Sequence, residues 1–312
     1  MGFEHAEFLD SPTGARLALR RQPAMAEARG IVLVNHGLAE HSARYAPFAQ
    51  SLSERGYHVF AQDHRGHGAT MAKDAPLGRF AASDGVASVI ADVLAVQAHA
   101  TALYPGLPVI LFGHSMGGLI AANVAERQPQ AFSGLAIWNS HLNPGLLGRV
   151  GLVLLKAERF LKGSDVPSSI APRLTFDAWG KSVPGAKTVF DWLSRDPAVV
   201  QAYIDDPLCG FDISVSMWID VTTMALEGGA RRNLARLPKT LPVHITGGSE
   251  DPATDGGKAM AWLDGELEAA GLISHTLSIN QGMRHETLNE IGREQAISGF
   301  IDWCDRVTSL FR

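Results

Sequence analysis

The sequence predicts an α/β fold with a mostly parallel central sheet, helices on both faces and one helical insertion. Three observations predict it. Short β-branched runs alternate with longer helical stretches. The alternation breaks between about His141 and Phe211. A glycine-flanked serine sits where one apolar run gives way to a helical pattern.

The strand candidates are Ile31–Asn35, His58–Gln62, Val109–Phe112, Leu135–Trp138 and Val243–Thr246. Each is a short apolar run without strict alternation, as expected for strands buried on both faces. Between them lie Ala46–Arg55, Val86–Leu103, Met116–Arg127 and Lys258–Ala270, all with helical periodicity. A further strand is expected at His275–Ile279, and a last helix over about Gly292–Leu310. Strand alternating with helix implies a parallel sheet covered on both sides.

In the interrupted stretch no strand is evident. Asn143-Pro144-Gly145, Gly163-Ser164-Asp165 and Val183-Pro184-Gly185 punctuate short helices there. An excursion of this length is too long for a simple loop in a compact domain. The expected organisation is a core over residues 1–140, a helical cap over 141–211 and the rest of the core over 212–312.

The chain has 312 residues, 46% of them hydrophobic and 19% charged, enough to bury a sizeable core. Its formal net charge of -5 offers no counterion release from a polyphosphate, so nucleic acid is not an expected partner. The two cysteines, Cys209 and Cys304, are far apart and form no Cys-x-x-Cys metal or redox spacing. The first residues lack a basic stretch followed by an apolar run, and no apolar segment reads as long enough to cross a bilayer. The expected location is cytoplasmic, with peripheral contact at the inner membrane surface left open.

Chemistry concentrates at Gly113-His114-Ser115-Met116-Gly117. The pattern G-x-S-x-G is weak alone. Here a strand ends at Gly113, a helix starts at Met116, and Pro129 marks the end of that helix. A strand–serine–helix turn is the nucleophile elbow, which holds the hydroxyl out of the sheet at a helix N-terminus. Gly113 and Gly117 leave room for so tight a turn. The bland alternative is a glycine-rich helix start with an incidental serine.

A serine hydroxyl needs a base to take its proton. His285, in Gly282-Met283-Arg284-His285-Glu286, follows the last strand candidate and precedes the last helix. No other histidine among the twelve has that position. His114 is expected to turn away from the cavity. The base needs an acid to fix its tautomer, expected on the loop Gly247–Asp255. Asp251 is the choice, with Glu250 and Asp255 as fallbacks, and Asp255 best fits a carboxylate that merely caps the next helix. The order Ser, Asp, His follows one of the known triad orders. Oxyanion donors are expected at the N–H of Met116 and of Leu38. Leu38 lies in His36-Gly37-Leu38, which could instead be a simple strand-ending turn.

These residues carry a resemblance. His36-Gly37-Leu38-Ala39-Glu40-His41-Ser42-Ala43-Arg44-Tyr45 resembles the HGxxEHSxRY block of the monoacylglycerol lipase and lysophospholipase group of α/β-hydrolases. Asp63-His64-Arg65-Gly66-His67-Gly68 is similar to its DHRGHG block, and Gly113–Gly118 to its GHSMGG elbow. Arg284–Glu290 resembles its RHExLNE block, and Asp206–Phe211 a segment where the cap returns to the core. The resemblance spans nearly the whole chain in the expected order. Ala69 departs from it, standing where a small polar residue is common.

The resemblance implies an α/β-hydrolase fold, a helical cap, a Ser115/Asp251/His285 triad, no cofactor and hydrolysis of a single-acyl-chain ester. The implied partner is a small acyl ester or lipid. Amide cleavage, a general carboxylesterase and a silent ligand-binding member are the alternatives. His36, His41, His64 and His67 invite a metal reading, but no H-E-x-x-H pattern accompanies them, and the resemblance implies that they brace loops.

A cap helix is expected near Arg149–Lys162. Val150, Val153, Leu154, Ala157, Phe160 and Leu161 share one face, expected to pack on the core or line an acyl pocket. Leu152 and Leu155 are expected outward, among Lys156, Arg159 and Lys162, where they would suit an anionic lipid surface.

Overall fold

A computed structural model describes residues 2–311. Strands β1 (Glu7–Asp10) and β2 (Arg16–Gln22) open the chain, followed by β3 (Gly30–Asn35), α1 (Ala46–Glu54) and β4 (Tyr57–Gln62). Then come α2 (Gly85–Leu103), β5 (Val109–His114), α3 (Met116–Arg127) and β6 (Gly134–Trp138). Helices α4 (Gly145–Lys162), α5 (Ala171–Leu174), α6 (Phe176–Ser182) and α7 (Pro197–Asp205) follow with no strand among them. The chain ends with α8 (Val215–Gly228), α9 (Arg231–Leu234), β7 (Val243–Gly248), α10 (Lys258–Ala269), β8 (His275–Asn280) and α11 (Arg293–Ser309).

The eight strands form one sheet in the order β1-β2-β4-β3-β5-β6-β7-β8. All pairs from β4 to β8 are parallel, and β1 and β2 add an antiparallel edge. Strands β3 to β7 are buried along their whole length, which is why they read as continuous apolar runs. Two cores line the two faces. One packs α2, α3, α8 and α10 through Val93, Ile120, Met224 and Leu263. The other packs α1 and α11 through Phe48, Phe112, Trp138 and Phe300. This is the α/β-hydrolase architecture.

The edge strands β1 and β2 and helix α8 were not foreseen. Strand β2 carries three arginines in RLALRRQ and β1 alternates between partly covered and exposed residues, so neither shows the apolar run of a buried strand. Helix α8 begins just after the inserted helices return, where Ser214 caps it by accepting from Met217 N–H at 3.2 Å.

Two expectations need correction. Helix α2 does meet the length and apolarity needed to cross a bilayer, with a mean hydropathy of 1.6. It flanks the sheet instead, burying Val89, Ile90, Val93 and Val96, and it carries the buried Asp92.

The second correction concerns α4, which lies over α8 with the opposite face inward from the one expected. Leu155 is buried and Leu152 packs on the core, whereas Val150, Val153, Leu154, Phe160 and Leu161 stand exposed. The physical reason is Glu158. Its buried carboxylate accepts from Ser168 Oγ at 2.7 Å and from Ser169 N–H at 2.8 Å, and this polar anchor draws the Leu155 side of the helix inward. A reading based on apolar periodicity alone cannot anticipate such an anchor.

Candidate active site

The site lies above the carboxyl ends of the central strands, where loops from β3, β5, β6, β7 and β8 converge. At the end of β5, Ser115 adopts φ 53 and ψ −120, a backbone conformation L residues rarely hold. The turn is closed tightly from both sides. A Cβ on Gly113 would meet Gly117 O at 2.1 Å, and one on Gly117 would meet Asn35 O at 2.0 Å. Any side chain at either position would open the turn, so both glycines are required by close approach.

Three separate loops bring Ser115, His285 and Asp251 together. Ser115 Oγ lies 2.9 Å from His285 Nε2. On the other side of the ring, His285 Nδ1 lies 3.0 Å from each oxygen of Asp251. His285 is 3% exposed and Asp251 fully buried. Asp251 also accepts from Ala253 N–H at 2.9 Å, Thr254 Oγ at 2.8 Å and Asn139 Nδ2 at 2.9 Å. Burial would raise its pKa, but the facing imidazole and these donors outweigh burial and hold it below the ordinary value. Both fallback acids sit elsewhere. Glu250 is exposed, and Asp255 is exposed and paired with Lys258 at 3.1 Å.

Leu38 and Ser115 line the same cavity. Met116 opens α3, so its N–H has no acceptor within the helix. Among the described residues no group accepts from the N–H of Leu38 either. The loop carrying Leu38 is held by Glu40, whose Oε1 accepts from Gly37 N–H at 2.6 Å and Tyr45 OH at 2.8 Å. Arg44 bridges this loop to the histidine loop. It donates to Glu40 at 2.5 Å and to both oxygens of Glu286 at 2.6 and 2.7 Å. Burial opposes ionising Glu40, yet Arg44 and His114 hold it well below the carboxylate range. His114 borders the cavity instead of turning away, with its Nε2 3.0 Å from His285 O.

The early histidines pack beside the loop carrying Leu38. His36 Nδ1 lies 2.8 Å from Gly37 O, and its Nε2 accepts from His64 N–H at 2.9 Å, so both nitrogens are engaged. His67 packs edge-on to His36 at 5.2 Å between centroids. His41 lies apart, 2.9 Å from Asp206 Oδ2.

Three contributors were missed in the sequence. Asn139, just after β6, links Asp251 to the loop carrying His285, accepting from Thr287 Oγ at 3.0 Å. Trp192 packs on the His285 ring at 4.9 Å, and its carbonyl accepts from His285 N–H at 3.3 Å. Arg284 donates to Asp191 O at 2.7 Å. Thus the segment around 191–194 braces the histidine loop. A polar residue right after a buried strand was the one available signal for Asn139. Nothing local marks Trp192.

Above the serine lies a cavity of about 830 Å³, counting its open mouth. Phe176, Phe190, Trp192 and Phe211 supply much of its wall. A serine at a strained strand–helix turn, a histidine behind it and an apolar cavity beside them define a hydrolase of the lipase and esterase class. The chain belongs to the family described as serine aminopeptidase, S33, which matches residues 26–292. It is 31% identical to human monoglyceride lipase over 276 residues, covering 84% of this chain and 77% of that protein. It is 27% identical over 277 residues to the monoacylglycerol lipase of Mycolicibacterium smegmatis, covering 89% and 88%. Among solved structures, a thermostable carboxyl esterase from Bacillus coagulans superposes with a TM-score of 0.89 at 24% identity, covering 99% of each chain.

Proposed function

We propose that the protein hydrolyses carboxylic esters of single-acyl-chain lipids, a monoacylglycerol or lysophospholipid, through an acyl-enzyme on Ser115. The observation that carries this reading is the 2.9 Å contact of Ser115 Oγ with His285 Nε2 beneath an apolar cavity. Ser115 attacks the ester carbonyl while His285 takes its proton. Asp251 holds the imidazole by Nδ1 and stabilises its charge. The N–H groups of Leu38 and Met116 bind the oxyanion. His285 then protonates the leaving alcohol, and water, activated by the same histidine, releases the acid. No cofactor enters these steps.

We assign residues 141–211 as a cap between the two core segments 1–140 and 212–312. Its α4 supports docking on lipid aggregates. Leu146, Leu147, Val150, Val153, Phe160 and Leu161 are exposed on a helix that also carries Arg149, Lys156, Arg159 and Lys162. Apolar residues interleaved with cations suit an anionic lipid surface. Cys209 and Cys304 are free, which fits a reducing compartment.

The names of the relatives favour lipid esters, whereas the family description names peptides. A screen of p-nitrophenyl butyrate, 1-oleoylglycerol, lysophosphatidylcholine and aminoacyl anilides tests the reading. Turnover of the esters with little on the anilides is expected. Preferential anilide cleavage would overturn it.

A further inference from the structure

Beside the loop carrying Leu38, three metal-ligating side chains meet that the proposed reaction does not use. One ligand atom from each of His41, Asp206 and Cys209 lies within 4.8 Å of the other two. They come from distant stretches. His41 follows β3, whereas Asp206 and Cys209 follow α7, where the inserted helices end. His41 Nε2 is 2.9 Å from Asp206 Oδ2. Asp206 Oδ1 accepts from Leu208 N–H at 2.8 Å, and Cys209 N–H donates to Asp206 O at 2.9 Å. That turn leaves Oδ2 to His41 and keeps the free thiol close to both. His41 and Cys209 are buried and Asp206 is half-buried, which leaves an ion a way in. Arg44 comes near Cys209 but is already paired with Glu40 and Glu286. With Asp206, three carboxylates stand against one guanidinium, so the surroundings accept a cation.

We propose that His41, Asp206 and Cys209 form a zinc site whose occupation represses ester hydrolysis. The repression rests on the ester-hydrolase reading above, whereas the binding does not. The donor set decides the metal. Imidazole, carboxylate and thiolate together suit Zn²⁺, whereas Ca²⁺ and Mg²⁺ take oxygen ligands. Around tetrahedral zinc, bonds of about 2.0–2.3 Å put neighbouring ligand atoms about 3.3–3.7 Å apart. The His41–Asp206 pair therefore opens slightly and the thiol closes in by about 1 Å. The thiol proton leaves to solvent, the thiolate and the Asp206 carboxylate balance the two charges of the ion, and water fills the fourth position. This movement reaches the active site through Gly210, the residue after Cys209. Gly210 N–H and Tyr203 OH each donate to Ala39 O at 2.9 Å, next to Leu38. Drawing Cys209 toward His41 shifts Gly210 against Ala39 and displaces the Leu38 N–H.

The test titrates EDTA-treated, reduced protein with Co²⁺ and with Zn²⁺. Bound Co²⁺ should give the intense near-ultraviolet band of a thiolate–cobalt bond, and one equivalent of Zn²⁺ should remove it. Cys209→Ser should lose the band and Cys304→Ala should keep it. With p-nitrophenyl butyrate, Zn²⁺ should inhibit the wild type and EDTA should restore turnover. Cys209→Ser and Asp206→Asn should each turn over ester without zinc. Each should raise the Zn²⁺ concentration for half-inhibition by at least about tenfold, since losing even a residue that only orients a metal ligand costs that much. A wild type without the thiolate band would overturn the site. Equal inhibition of the wild type and both variants would overturn it too, by moving the zinc to another group such as His285. A band without inhibition would overturn the repression. The cobalt spectrum needs no turnover, so a protein that shows the band but hydrolyses no ester supports the site and overturns the ester-hydrolase reading.

Discussion

Asn139 donates its side-chain amide to Asp251 Oδ2 at 2.9 Å while its own backbone is held at φ 48. Positive φ is uncommon outside glycine, and asparagine is among the residues that tolerate it best. Here Thr287 donates to Asn139 Oδ1, so a single side chain ties Asp251 to the segment carrying His285.

The Asn139→Gly variant should therefore separate stability from activity. Glycine relieves the backbone conformation but deletes a hydrogen bond to a charged group, an interaction of about 1.5–3 kcal/mol. We expect kcat to fall by about ten- to a hundredfold with a near-normal melting temperature. A variant that melts early with unchanged kcat would assign Asn139 a purely structural role.

Asp251→Asn should lower kcat by several orders of magnitude, on the order of 10⁴-fold in the analogous serine protease case, because an amide favours the wrong imidazole tautomer. Glu250→Gln and Asp255→Asn should remain near wild type, since both side chains are exposed. Steady-state kinetics on a soluble ester checks all three variants. A severe defect confined to Asp255→Asn would move the acid.

Acid should destabilise the protein well above the carboxylate range. Burial lowers the pKa of His36, His64, His67 and His244, to about 3 for His67 and about 4 for His244. In the unfolded chain these groups bind protons near pH 6.5, so below that pH the unfolded state binds more protons than the folded one. Stability is thus full above about pH 6.5 and is lost progressively as pH falls toward the folded values. At pH 5 the loss is about 2 kcal/mol for each histidine still neutral when folded. Urea unfolding at pH 7.5 and pH 5 measures this, and equal free energies at the two pH values would contradict it.

The exposed face of α4 can be tested by Leu147→Ser with Phe160→Ser. These side chains are 86% and 89% exposed, so the fold should not change. Binding to anionic vesicles and hydrolysis of aggregated long-chain ester should fall several-fold, with p-nitrophenyl butyrate hydrolysis retained. Leu152→Ser with Leu155→Ser should instead loosen the helix and harm both substrates. Vesicle binding unaffected by the outer pair would remove the membrane role.

The legible and illegible parts of the molecule divide on physical lines. Buried parallel strands such as Val109–His114 announce themselves because both faces demand apolar residues. The serine turn is legible because close approach restricts Gly113 and Gly117 to glycine. The spacing of Asp251 and His285 after successive strands made them candidates, and their contact at 3.0 Å is a property of the sheet order. The edge strands were hidden because half-exposed positions accept arginine. The inward face of α4 was hidden because it is set by Glu158 and two serines ten and eleven residues away, not by apolar periodicity. Trp192 comes within reach of His285 only through tertiary packing.

The central claim is that Ser115 forms the acyl-enzyme, and mass spectrometry of the trapped protein tests it most directly. Incubation with a fluorophosphonate, or rapid acid quenching during turnover of a p-nitrophenyl ester, should leave one adduct on the peptide containing Ser115. Ser115→Ala should remain folded, take no adduct and lose turnover by orders of magnitude. An adduct on another residue, or near-normal turnover by folded Ser115→Ala, would contradict the account.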